Sequence, residues 1–313
     1  MFDRLKLRSS ALVMLVLAGL GLPRCDRPAP LDIAAFDALY ADPAPVAPGP
    51  KRVYFIGHSL IGRDMPAMLA QLSAADNGGY ESQLGWGASL KSHWEPDVPV
   101  NGFEVENAHP RYRGAREAVA SGDYDAVVMT EMVEIRDAIK YMDSHDYLHR
   151  FARAAWEANP ETRVYFYETW HPLSDPEGWL ERVDLDLERY WEGEILRRAL
   201  AHDGMTRPIH LIPAGQVMAR LVREIEAGPG LPGLKDRTDL FIDDIHLSDQ
   251  GLYLVALTHY AVIHQRSPEG LPHALLRADN TPAVAPDPET AALMQRIVWE
   301  VVQAMPRTGV PRP

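Results

Sequence analysis

A single cysteine, Cys25, in 313 residues excludes any internal disulfide, so an oxidising compartment is tolerated by this chain but not exploited. Positive charge is in deficit as well. With 31 Lys and Arg against 44 Asp and Glu, the formal net charge is -13. Electrostatic nucleic-acid binding needs clustered Lys and Arg on the phosphates, so no nucleic-acid partner is expected. The longest uncharged apolar run, Ala11 to Leu22, falls short of the roughly 20 residues that span a bilayer. No internal repeat is visible. No second histidine stands at ligand spacing beside Asp243, Asp244 and His246, which argues against a metal site there.

What is present is ordinary globular composition, 46% hydrophobic and 24% charged, enough for one large α/β domain or two small ones. Arg4, Lys6 and Arg8 precede the apolar run, a basic region followed by a hydrophobic one, so residues 1–25 read as an export signal. The alternative is an uncleaved signal anchor. Cys25 stands where a bacterial lipoprotein carries its acylated cysteine, but Pro23 and Arg24 replace the small residues such a site wants. Membrane association is therefore expected only through an anchor or a lipidated Cys25, and the expected location is periplasmic or secreted.

Residues 26–50 are rich in Pro and Ala and read as a linker or a lead-in that hugs the surface. A domain over 51–275 follows. Arg52 to Ile56, Tyr124 to Met129, Arg163 to Tyr167 and Ile209 to Ile212 are strand-like apolar runs. Helical patterns cover Met65 to Ala75, Tyr147 to Ala158, Leu180 to Ala201, Ala214 to Glu226 and Gln250 to His264. Strands alternating with helices imply a parallel sheet covered on both faces, a three-layer, doubly wound α/β/α fold. Residues 276–313 form a Pro-rich tail with a terminal helix from Glu289 to Met305.

Ligands of open α/β sheets bind outside the carboxyl ends of the strands. In VYFIGHSL, Ser59 directly follows the first strand, with Gly57 before it and Pro66 in the next helix. That arrangement exposes Ser59 and aims backbone N–H groups at an oxyanion. Alone, the string reads equally as a turn with a capping serine. A serine nucleophile needs a base, and the base needs an orienting group. Asp243, Asp244, Ile245 and His246 supply both from one loop, ahead of a helix that Ser248 or Asp249 would cap. Spacing favours Asp243 as the partner of His246. The bland reading has the same residues capping the helix or holding a cation.

The two blocks together, Gly-x-Ser-Leu early and Asp-x-x-His late, resemble the SGNH or GDSL-like serine hydrolase superfamily over roughly Lys51 to Gln265, with His58 where that family usually has aspartate. The resemblance implies a flavodoxin-like sheet, Ser59 as nucleophile, His246 as base and Asp243 as its support. The ordinary α/β-hydrolase elbow is excluded because Ile61 occupies its last glycine position. The family's oxyanion hole would comprise the Ser59 N–H, the N–H of Gly87 in LGWGASL, with Gly85 as fallback, and an asparagine. That asparagine is missing: the chain reads Thr130, Glu131, Met132 and Glu134 instead. Either Thr130 donates, a Glu is protonated, or Glu131 contacts substrate hydroxyls. Trp86 and Trp170, in loops at the same sheet edge, are candidate carbohydrate contacts or else core. The reaction implied is hydrolysis of a small acyl ester, an acetyl group on a carbohydrate being favoured, with no metal or organic cofactor. An acyltransferase, a lysophospholipase-type lipid esterase and a non-catalytic binding protein are the competing readings.

Overall fold

Strand β1 (Arg52–His58) carries the run Val53-Tyr54-Phe55-Ile56, whose side chains alternate between two faces and are buried on both. That is the pattern of a central parallel strand. The computed structural model describes residues 27–45, 51–73 and 79–312. Its sheet adds β2 (Gly79–Gly85), β3 (Ala126–Met129), β4 (Arg163–Glu168) and β5 (His210–Pro213). The order is β2-β1-β3-β4-β5, and every pairing is parallel. In this doubly wound order the chain reverses direction across the sheet between β1 and β3, so a crevice opens where β1 ends.

Helices cover both faces. In chain order they are α1 (Ile33–Ala38), α2 (Asp64–Leu72), α3 (Leu90–Trp94), α4 (Phe103–Glu106), α5 (Ala115–Ser121), α6 (Ile135–Tyr141) and α7 (Ser144–Ala158). Then come α8 (Trp179–Asp186), α9 (Arg197–Ala199), α10 (Ala214–Glu226), α11 (Asp249–His264) and α12 (Pro288–Ala304). Val53, Phe55, Val128, Tyr167 and Ile212 pack against α2, α10 and α11 on one face. Their neighbours Tyr54, Ile56, Val127, Phe166 and Leu211 pack against α5 and α7 on the other. The three-layer α/β/α expectation therefore holds, with the core split evenly by the period-2 alternation of the strands. Helix α11 is apolar on every side and buried without a break from Tyr253 to His264, which places it inside rather than on the rim.

Two local expectations change. Strand β2 is additional: its sequence GYESQLG is polar and only its last four residues are buried, so it lacks the apolar run by which the other strands are read. The stretch read as one helix from Leu180 to Ala201 is α8, a π-helix over Leu187–Leu196, and α9. Of the two readings of the lead-in, residues 27–45 follow the one that packs on the surface of the domain. Asp32 caps α1, Phe36 is fully buried, and the Tyr40 hydroxyl donates to the Ile209 carbonyl at 2.6 Å. The terminal helix α12 packs on α10 and α11. Residues 1–26, where an export signal is expected and Cys25 stands, residues 46–50, and residues 74–78, where the helix expected to reach Ala75 would end, lie outside the described residues. No helix among the described residues is long and apolar enough to cross a membrane.

Candidate active site

At the end of β1 the chain turns back on itself: the Ile61 and Gly62 N–H groups donate to the His58 carbonyl at 2.9 and 3.3 Å. Gly62 adopts φ +58 to close this turn, a left-handed conformation that a side chain would strain. Gly57 serves close approach instead. A Cβ there would meet Thr130 Cγ2 at 2.6 Å and Ile61 Cδ1 at 2.8 Å, so β1, β3 and the turn can close together only around glycine. Ser59, half-buried, is presented at the rim.

The Asp-x-x-His loop lies opposite. His246 Nε2 stands 3.0 Å from Ser59 Oγ, and His246 Nδ1 stands 2.8 Å from Asp243 Oδ2. The other carboxylate oxygen, Oδ1, accepts the backbone N–H groups of Ile245 and His246 at 2.8 and 2.7 Å. Those two N–H donors, with the His246 ring, pull the Asp243 carboxyl down to about 2, so it is a carboxylate at any ordinary pH. Asp243, the nearer in spacing to a helical turn from His246, is thus its partner. Asp244 points elsewhere: it accepts the Ser174 N–H and hydroxyl at 2.8 and 2.6 Å and ties the loop to the segment after β4. Ser248 caps α11 by accepting the Gly251 N–H.

His58, in the place of the usual aspartate, is fully buried. The Leu60 N–H donates to its Nδ1 at 3.3 Å and its Nε2 lies 2.8 Å from the Glu131 carbonyl oxygen, an arrangement that fits only the neutral ring with its proton on Nε2. Burial accordingly lowers it to about 4. His93 is held the same way, Nε2 on the Gly57 carbonyl and Nδ1 against Gln83 Nε2, both at 2.8 Å. These two imidazoles brace the turn that carries Ser59, His58 from the end of β3 and His93 from α3.

On the β2 side, the register pairs His58 with Gly85, so Ser59 and the Trp86-Gly87 turn leave adjacent strands at the same height, about 5 Å apart. Gly87 is exposed at φ +56 with nothing within 4 Å of its missing side chain, leaving room for a ligand above its backbone. In the third block Thr130 and Glu131 are both turned inward, and of the three expected arrangements the raised Glu131 carboxyl fits the protonated one. The Thr130 hydroxyl donates to the Tyr167 carbonyl at 2.8 Å and is fully buried, so it is not an oxyanion donor. Glu131 is also fully buried. Its Oε1 accepts the Met132 and Leu90 N–H groups at 2.8 and 3.3 Å, a bond that fastens the start of α3, just past Gly87, to the end of β3. It therefore contacts no substrate. Burial raises its carboxyl to about 7, only partly offset by the Met132 N–H. Glu134 caps α6 and pairs with Arg182 at 3.2 Å.

Trp170, expected at the rim, is buried and donates from Nε1 to the Ile245 carbonyl at 2.8 Å. It is a prop beneath the Asp-x-x-His loop. Trp86 remains 52% exposed, its Nε1 donating to Glu106 Oε1 at 2.7 Å, with the ring lying against Gly102. Sequence reasoning missed Ser174, for which no local signal exists, and the buried Arg182. That guanidinium binds Asp175 and Asp186 at 2.8 Å each as well as Glu134, joining the segments after β3 and β4.

No group of three or more His, Cys, Asp or Glu suited to a metal ion occurs among the described residues. Neither a protein-family model nor a curated protein matches the chain. Among solved structures it is similar to a DUF4886 family protein from Bacteroides uniformis at 16% identity and a TM-score of 0.51, over 80% of this chain and 94% of that one. A gut microbial diltiazem-metabolizing enzyme aligns at 12% identity and a TM-score of 0.34, over 69% and 47% of the two chains. What the first of these likenesses establishes for this chain is the α/β fold.

Proposed function

We propose that this protein is a divergent serine esterase of the SGNH type that hydrolyses a small acyl ester through an acyl-enzyme on Ser59. The observation that carries the reading is the unbroken relay from Ser59 Oγ through His246 to Asp243, at 3.0 and 2.8 Å. His246 Nε2 accepts the Ser59 proton as Oγ bonds to the ester carbonyl carbon. The carbonyl oxygen takes up the negative charge between the N–H groups of Ser59 and Gly87. As the intermediate collapses, the C–O bond to the alcohol breaks and the proton passes from Nε2 to the departing oxygen. A water activated by the same nitrogen then adds to the acyl carbon, and the acid leaves with Ser59 reprotonated. Asp243 stays ionised throughout and holds the imidazole in the tautomer that accepts at Nε2.

The hole lacks a third donor, which by itself costs about 100- to 1000-fold in turnover. Glu131 adds little repulsion below about pH 7, where its buried carboxyl is mostly neutral. The half-exposed His246 and Asp243 side chains, at 42% and 52%, suit ready access of water and a short acyl group. Trp86, rigidly held beside Gly87, offers a face to a sugar ring. Export is part of the proposal and rests on the basic and apolar pattern of residues 1–25.

The test is hydrolysis of p-nitrophenyl acetate by the purified chain against Ser59→Ala. Loss of activity with retained circular dichroism is expected. Equal rates would refute the reading, and chain-length and acceptor series separate it from a lipid esterase and an acyltransferase.

A further inference from the structure

A cavity of about 400 Å³ opens beside the nucleophile turn, between the start of α2, the outer face of β2 and the segment after α11. Its walls differ in charge. On one side Arg277 is neutralised by a two-pronged pair with Asp249, at 2.9 and 2.5 Å, while the two lining carboxylates are engaged by their own loop, Asp64 by the Ala278 N–H at 2.8 Å and Asp279 by the Thr281 N–H and hydroxyl at 2.9 and 2.6 Å. On the other side stand Arg63 and Arg111, and no carboxylate among the described residues lies within ion-pair distance of either. Arg111 lies 4.2 Å over the Tyr80 ring and donates to the Tyr80 carbonyl at 3.2 Å, which fixes its direction. Its backbone N–H donates to His109 Nδ1 at 3.2 Å, so the His109 proton sits on Nε2, a buried atom without a partner.

Two guanidiniums without a carboxylate partner on one wall of a cavity are the core of an oxyanion site. In a chain of net charge -13, such a wall is a local reversal of field that draws an anion to one place. The cavity is also tied to the triad at both ends. Arg63 follows Ser59 by four residues, at most about 14 Å of chain, and Asp249, which anchors Arg277, follows His246 by three.

We infer that this cavity holds an anionic group, a carboxylate or a phosphate, carried by the ester substrate, with Arg63 and Arg111 as its specificity-determining residues. The inference rests on the esterase reading for what the anion belongs to, while the binding itself can be tested without turnover. Ser59→Ala protein, folded but inactive, is titrated calorimetrically with D-glucuronate, inorganic phosphate and neutral D-glucose. Saturable binding of glucuronate or phosphate, at least tenfold tighter than glucose and weakened at least tenfold by adding Arg63→Gln, is expected. Tighter glucuronate assigns a carboxylate, and tighter phosphate assigns a phosphate. Absence of binding by both anions, or affinity unmoved by Arg63→Gln, would overturn the site. Because Arg63 is exposed and makes no side-chain hydrogen bond, that variant should fold, and Arg63→Lys should recover part of the affinity. In active protein, the ratio of kcat/KM for an acetylated acidic sugar to its neutral counterpart should fall about tenfold in Arg63→Gln. If p-nitrophenyl acetate is not hydrolysed but the anion still binds, the esterase reading fails and the anion site stands.

Discussion

Replacing Glu131 by Gln isolates the contribution of a buried carboxyl to the pH dependence of folding. Glu131 is completely buried, and its carboxyl rises from an ordinary 4.5 to about 7 because burial disfavours the charge. Between those two values the folded chain binds more protons than the unfolded chain, so by linkage stability falls as pH rises. The penalty is absent below about pH 4.5 and fully developed above about pH 7. A shift of that size corresponds to about 3 kcal/mol. Gln keeps the oxygen that accepts the Leu90 and Met132 N–H groups, and places its amide where Oε2 has no partner. Urea unfolding of wild type and Glu131→Gln at pH 5 and pH 8.5 should therefore give a difference in free energy that moves by about 2.5 kcal/mol in favour of the variant at the higher pH. A difference that does not change across this window would refute the argument that Glu131 is a neutral acid forced to ionise inside the fold.

Asp243→Asn should lower kcat on p-nitrophenyl acetate by about 10⁴-fold, because an amide leaves the wrong tautomer of His246 favoured. Asp244→Asn, which loosens only the tie to Ser174, should cost far less in the same assay. Gly62→Ala puts a side chain at φ +58 and a Cβ 3.2 Å from the Ser59 carbonyl. It should lose about 1–2 kcal/mol by urea unfolding, together with activity. Arg182→Ala leaves Asp175, Asp186 and Glu134 without their common counter-charge and should destabilise by about 3–5 kcal/mol in the same measurement.

The layers of the fold are legible in the sequence because β1, β3, β4 and β5 are buried on both faces and read as apolar runs. Strand β2 is not, since an edge strand with a polar face lacks the pattern by which strands are recognised. The π-helix is invisible for a different reason: Leu187–Leu196 has the helix propensity of its flanks, and only packing decides that the turns widen there. At the site, the proximity of Ser59, Asp243 and His246 follows from two contiguous blocks, one at a strand end and one at a helix start. The roles of Thr130, Glu131 and Trp170 do not follow. Each depends on a backbone group far away in sequence, at Tyr167, Leu90 and Ile245, and residue type alone does not say whether a polar side chain faces a substrate or a carbonyl.

The helix that follows His246 is the most enclosed in the molecule, and this bears on how the protein fails when heated. A helix walled in on every side cannot fray or swing without the surrounding layers opening, so its amides should exchange with deuterium only through global unfolding. His246, the base in the proposed reaction, stands in the loop three residues before the first residue of that helix. Thermal inactivation should then coincide with the loss of the whole fold, with no earlier temperature at which the site softens while the body persists, and the half-life at high temperature should track the unfolding rate.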